Sequence, residues 1–161
     1  MGKGMIEAFR VTDYTLAIGP MKETWEMFAE DGAELMVPDI VNEYWIGIRD
    51  NDCYAGVIRA VQVTSVMFEF HICIRKQYRN VVAYAKKAIE WFINNVPVAM
   101  KAVCNIPEFK RGAIKVAKKL GFKMQGFNSG AYLKNGKLHG LVNLGIDREA
   151  MEDICQQQFQ H

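Results

Sequence analysis

The chain contains no Cys-x-x-Cys pair. Its four cysteines, Cys53, Cys73, Cys104 and Cys155, stand far apart, and three of them lie in apolar runs. Reduced, partly buried thiols in a cytosolic setting are expected. The three histidines, His71, His139 and His161, do not approach metal-ligand spacing, so no metal site is expected. There is no basic tail or dense basic cluster, and the net charge is only +2. Lys and Arg gather mildly at Arg75–Arg79 and Lys110–Lys123. Nucleic acid is therefore not an expected partner. No apolar run reaches the ~20 residues of a membrane span. The segment Met1–Phe9 lacks the apolar core of a secretion signal and the Ser or Thr that N-myristoylation prefers. A cytoplasmic location is the expectation, with no membrane partner.

What is present suits one domain spanning residues 1–161, half hydrophobic and 24% charged. Ile6–Val11 reads as a strand. Pro20 is placed to open a helix over residues 21–31, which Gly32 stops. A short helical piece is expected over Ala33–Asn42, interrupted by Pro38. Three strands follow, Tyr44–Arg49, Tyr54–Val63 and Met67–Arg75, at the spacing of an antiparallel meander. The period then changes: Val81, Ala85, Ala88, Ile89 and Phe92 mark a helix over Val81–Asn95. Val98–Cys104 reads as a buried strand. Arg111–Leu120 reads as a helix stopped by Gly121. Strands around Phe122–Tyr132 and Leu138–Ile146 flank Asn135-Gly136, the strongest short-range hairpin signal. Glu149–Phe159 reads as an amphipathic helix that packs on this domain or on another subunit. The order is β-α-α-β-β-β-α-β-α-β-β plus a tail helix. The class is α/β, a mixed sheet with helices on both faces.

The stretch IRKQYRNVVAYAKKA, Ile74–Ala88, carries the chemistry. A strand runs into a cationic turn and a helix begins at once. Backbone N–H groups at a helix start point outward with partial positive charge and suit a phosphate. Glycine there permits close approach, yet this turn has none. Val82 and Tyr84 stand where a phosphate cradle takes glycine. If their side chains turn toward the core, the N–H groups stay open; if they turn outward, phosphate binding is weakened or lost.

This turn and the element order resemble the GNAT superfamily of acyl-CoA-dependent N-acetyltransferases, over nearly the whole chain. The family pattern V-x-P-x-Y-R-G-x-G-x-G aligns with Ile74–Tyr84: Tyr78 and Arg79 match, Lys76 replaces proline, and Val82 and Tyr84 replace glycines. A second stretch, AIKVAKKLGFKMQGF at Ala113–Phe127, is similar to the family's helix ending in K-x-G-F. The resemblance implies acetyl-CoA as cofactor and an amine as acceptor. It places cofactor contacts at Cys73, Ile74, Arg79, Asn80, Val81, Val82, Ala83 and Tyr84. The string NIPEFKRGAIKVAKKLGF also resembles small GNAT-like proteins of tailed bacteriophages. That likeness implies an alternative: an inactive GNAT-fold protein with a degenerate cofactor site, acting through protein partners in virion assembly, in the host cytoplasm or the virion.

Acetyl transfer to an amine needs a base, a polarised carbonyl and a proton for the leaving thiolate. Strand alternation puts Glu69 and His71 on one face. They are either the base or a satisfied structural pair. Asn105 falls near a place where relatives carry a catalytic Glu; it can position a substrate but not act as a base. The family's proton-donating Tyr aligns with Ala117, which has no proton to give. Tyr132 or Cys104 would need an unusual geometry to replace it. Trp25, Trp45 and Trp91 read as core residues.

Overall fold

The computed structural model describes residues 4–157. Seven strands and four helices alternate along the chain: β1 Ile6–Arg10, α1 Tyr14–Phe28, β2 Tyr44–Asp50, β3 Cys53–Gln62, β4 Met67–Ile74, α2 Val81–Asn95, β5 Lys101–Pro107, α3 Arg111–Lys119, β6 Lys123–Lys134, β7 Lys137–Asp147 and α4 Arg148–Gln157. One sheet runs in the order β1-β2-β3-β4-β5-β7-β6. Every neighbouring pair is antiparallel except β4 and β5. The α2 crossover between those two strands sets their parallel sense.

The helices cover both faces. On one face α1 sets Ala17, Ile18 and Met21 against Trp45, Val57 and Cys73. On the other, Tyr84, Ala88 and Phe92 of α2 pack on Ile46, Ile58 and Phe68. The same helix sends Ala85, Ile89 and Ile93 toward Ala102, Leu144, Leu120 and Met151. Thus α2 joins the two halves of the core. The tail helix packs on this sheet, with Met151 and Cys155 buried. Phe159 and His161 lie outside the described residues.

The sheet and the hairpins follow the sequence closely. Gly121 has φ +103°, and the N–H of Phe122 reaches the Ala117 carbonyl at 3.0 Å while Gly121 N–H reaches Lys118. Those two bonds form a Schellman cap and end α3. Asn135 and Gly136 have φ of 54° and 70° and close the β6–β7 hairpin.

Three expectations are corrected. First, α1 starts at Tyr14, not Pro20: Asp13 caps it by accepting from Thr15 N–H at 2.9 Å, and Pro20 lies inside. An internal proline strips the carbonyl four residues back of its donor. Here that carbonyl is Leu16, and the Tyr54 hydroxyl donates to it instead. Second, Ala33–Asn42 is not helical. Asp39 accepts from the N–H groups of Val41 and Asn42, an Asx turn that competes with a helix before the chain enters β2. Third, β5 begins at Lys101 rather than Val98. Pro97-Val98 form a turn, closed by Ala99 N–H to the Val96 carbonyl at 3.1 Å, and Val98 is exposed.

Candidate functional site

The parallel seam between β4 and β5 is short. It pairs Met67 with Lys101, Phe68 with Ala102 and Glu69 with Val103, and then the strands part. Beyond it β4 stays paired to β3 as far as Ile74, and β5 to β7 as far as Pro107. The result is a V whose inner backbone edges have no strand partner. It opens into a cavity of about 980 Å³ that reaches α1 on one face and α2 and α3 on the other.

On the α1 face the floor of the cavity is polar. Glu69, His71 and Cys73 point this way, opposite Phe68, Phe70 and Ile74, which pack on the α2 side. The Glu69 carboxylate lies 3.1 Å from Nε2 of His71. Asn105 projects to the same face of β5 and hydrogen-bonds Glu69. Its Oδ1 in turn accepts from Asn143 Nδ2 at 2.9 Å, which orients the amide so that it donates toward the carboxylate. The bond from His71, then that from Asn105, holds the Glu69 carboxyl below its usual range against the opposing effect of burial. Arg59, directly across from His71 on β3, is held by Glu43, with Nε to Oε1 at 3.0 Å. Arg59 thus holds its own carboxylate, and Glu69 has His71.

Apolar side chains wall this compartment. Trp25, Phe28 and Met36 come from α1 and the segment after it, and Phe109 and Tyr132 from the far side. A latch closes the end. Asp31 accepts from the N–H groups of Asn135 and Gly136 at 2.8 and 2.7 Å. Glu30 accepts from Leu133 N–H at 2.9 Å, and Lys134 Nζ donates to the carbonyls of Glu26 and Ala29 at the end of α1. The β6–β7 hairpin is therefore tied across the sheet to α1.

On the other face the cavity runs along Ala85, Ala88 and Ile89 of α2 and Gly112, Ala113 and Val116 of α3. Asn80 provides no side-chain cap for α2. Tyr84 is 2% exposed, turned into the core, and its hydroxyl donates to Asp50 Oδ2 at 2.6 Å. Val82 packs against the core shared by α2, α3 and β5. Both bulky replacements for glycine are spent on packing. Arg75 is engaged by Glu23 and the Tyr54 carbonyl.

The sequence candidates therefore fall into two groups. Glu69, His71, Asn105, Cys73 and Ile74 line one cavity. Arg79, Asn80, Val81, Val82, Ala83 and Tyr84 do not line it; they form the turn and first residues of α2 beside it. Ala117 lines the cavity where a hydroxyl was sought, as do Cys104 and Tyr132. Burial pushes the Cys104 thiol up to about 12, so it stays protonated. Trp25, read as core, is a wall of the cavity, and so is Lys110, whose only signal was the mild basic gathering at the start of α3. Among the described residues no cluster of His, Cys, Asp and Glu could hold a metal ion, and no helix is long and apolar enough to cross a membrane.

The overall fold is shared with solved acetyltransferases. A spermidine N-acetyltransferase from Vibrio cholerae, in complex with CoA and spermine, superposes with a TM-score of 0.76 at 11% identity, over 91% of this chain and 98% of that one. An acetyltransferase of the GNAT family from Streptococcus pneumoniae gives 0.68 at 14% identity, over 89% and 99%. A putative acetyltransferase from Salmonella typhimurium, with its cofactor acetyl-CoA, gives 0.68 at 12%, over 88% and 93%. No protein-family model and no curated protein matches the sequence. The chain has the fold of the GNAT acetyltransferases.

Proposed function

We propose that this protein is an acyl-CoA-dependent N-acetyltransferase. The observation that carries the reading is the V between β4 and β5, open from α1 to α2, with the ionised Glu69 on its floor. The cofactor's requirements fit the residues present. The first-turn amides of α2 have no capping side chain, and Val82 and Tyr84 are packed aside. Val81, Val82 and Ala83 N–H groups with Arg79 would hold the pyrophosphate, and the unpaired edges of β4 and β5 would hold the arm that follows. Acetyl-CoA supplies an acyl group activated as a thioester.

The chain's own residues do the rest. Glu69 accepts the proton of the acceptor ammonium, and His71 is placed to pass it to solvent. Asn105 keeps the carboxylate oriented. Arg75 N–H bonds back to the Ala55 carbonyl, so along β4 Cys73 N–H also faces β3, and Ile74 N–H is the donor available to a carbonyl in the V. Solvent supplies the proton for the leaving thiolate, since Ala117 has none to give and Tyr132 stands on the other, α1 side of the sheet. The walls from α1 and the β6–β7 hairpin exclude water.

A second reading, an inactive GNAT-fold protein of virion assembly acting through protein contacts, is favoured by one observation: Ala117 occupies the wall where the family's pattern has its proton donor. Titration calorimetry with acetyl-CoA and CoA at low and moderate salt separates the two. Micromolar binding that weakens with salt and in Arg79→Ala is expected. An absence of heat up to millimolar ligand overturns the enzyme reading.

A further inference from the structure

The α1-side compartment contains a cation that nothing in the catalytic scheme uses. Lys110, at the end of the β5–α3 connection, lines the cavity. Its ammonium lies 5.9 Å from the Phe109 ring centroid. Among the described residues no carboxylate pairs with it and no acceptor takes its hydrogen bonds. Burial, and then the nearby charge of Lys134, push its pKa down. Its place follows from Phe109, whose ring meets those of Tyr132 and His139, centroids 6.0 and 4.7 Å apart, register partners on β6 and β7. His139 shares its face of β7 with Asn143, the partner of Asn105, so Lys110 stands on the side to which Glu69, His71 and Asn105 point. Lys134 Nζ is satisfied by the Glu26 and Ala29 carbonyls; among the described residues no oxygen acceptor is bonded to Lys110 Nζ. The other carboxylate of the compartment, Glu30, is engaged at Leu133 N–H.

One cavity is thus lined by an ionised carboxylate, a partly desolvated and unpaired ammonium, and aromatic side chains. A half-buried cation beside another cation is costly, and an incoming anion relieves both the desolvation and the repulsion. An acceptor with a bare polycationic chain would meet Lys110 as a like charge. From this juxtaposition we infer that the acceptor is an amine that also carries a carboxylate and an apolar side chain, of the amino-acid or short-peptide class. Its ammonium sits at Glu69, its side chain against Trp25 and Phe28, and its carboxylate at Lys110. The inference rests on reading the α1-side compartment as the acceptor site, but not on cofactor binding.

The test is equilibrium binding without cofactor, read from the fluorescence of Trp25 and Trp45, both of which line the cavity. The probes are L-phenylalanine, glycyl-L-phenylalanine, the C-terminal amide of each, phenethylamine and spermidine. At least one acid binds about tenfold or more tightly than its own amide, the effect of one charge-assisted contact. The member of the pair that shows the difference reports the span between Glu69 and Lys110. Lys110→Gln brings that acid down to the affinity of its amide, with circular dichroism confirming an unchanged fold. The inference is overturned if both acids bind no tighter than their amides, if spermidine or phenethylamine binds best, if none of the probes binds, or if Lys110→Gln keeps the preference. Calorimetry with acetyl-CoA is run beside it. An acid that binds while acetyl-CoA does not sinks the acetyltransferase reading and leaves Glu69 and Lys110 as an amino-acid binding site; the reverse result sinks only the inferred acceptor class.

Discussion

The Tyr54 hydroxyl stands in for the backbone donor that Pro20 takes away from Leu16. A strand residue thereby completes a helix on the face of the sheet above it. Tyr54→Phe removes the donor and leaves a half-buried carbonyl unsatisfied, a loss of about 1–2 kcal/mol in denaturant unfolding. In a Pro20→Ala background the same substitution costs less, because the helix can then supply its own N–H. Equal losses in both backgrounds would show that Tyr54 acts only by packing.

Glu69 titrates below its ordinary value because His71 and Asn105 bind its ionised form. A group with a depressed folded value contributes stability above its unfolded value and loses it as pH falls through the folded one. The Glu69 carboxylate therefore stays ionised at neutral pH and takes up its proton only in acid. Carboxyl carbon chemical shifts of Glu69 followed with pH check this. His71→Ala and Asn105→Ala both raise the titration point, His71→Ala by more. Glu69→Gln lowers kcat at least ~100-fold, the usual contribution of a positioned base.

Two glycines respond in opposite directions to alanine. A Cβ on Gly56 would stand 2.4 Å from the Cys73 carbonyl and 2.8 Å from Ile74 Cα, both backbone atoms of β4. Gly56→Ala therefore costs about 2 kcal/mol or more. Gly112 lies in the first turn of α3 with open space around it, so Gly112→Ala gains about 0.5 kcal/mol by restricting the unfolded chain. Thermal unfolding of the two variants reads both signs.

The Asp31 latch weakens in acid. Its carboxyl is held below its usual value by the Gly136 and then the Asn135 N–H, so the latch holds above that lowered value and opens as pH falls through it. Asp31→Asn imitates the open state at neutral pH. Hydrogen exchange at Asn135 and Gly136 accelerates in the variant, while exchange in β4 does not change.

Local chemistry made most of the fold legible in the sequence. Asn135-Gly136, Gly121, the β-formers of Tyr44–Arg49 and the alternation of Met67–Arg75 act within a few residues and mean the same in any context. Pro20 misled because its remedy, Tyr54, lies on another element. Asp39 misled because its side chain competes for the backbone that a helix would have used. The candidate base was legible, since Glu69 and His71 share one strand. The compartment around it was not. Trp25, Lys110 and Tyr132 come from α1, the β5–α3 connection and β6, and only the folded sheet brings them to one cavity.

Strand pairing also divides the molecule in a way that its single sheet conceals. β1 through β4 form one antiparallel leaf and β5, β7 and β6 another. The two are bound along a spine of three residue pairs, Met67–Lys101 to Glu69–Val103, backed by α2. The pages fall open where chemistry is proposed. Anything lodged between them bridges two otherwise separately cross-linked leaves, so occupancy of the V should be felt as stiffness far from it, at the outer margins β1 and β6.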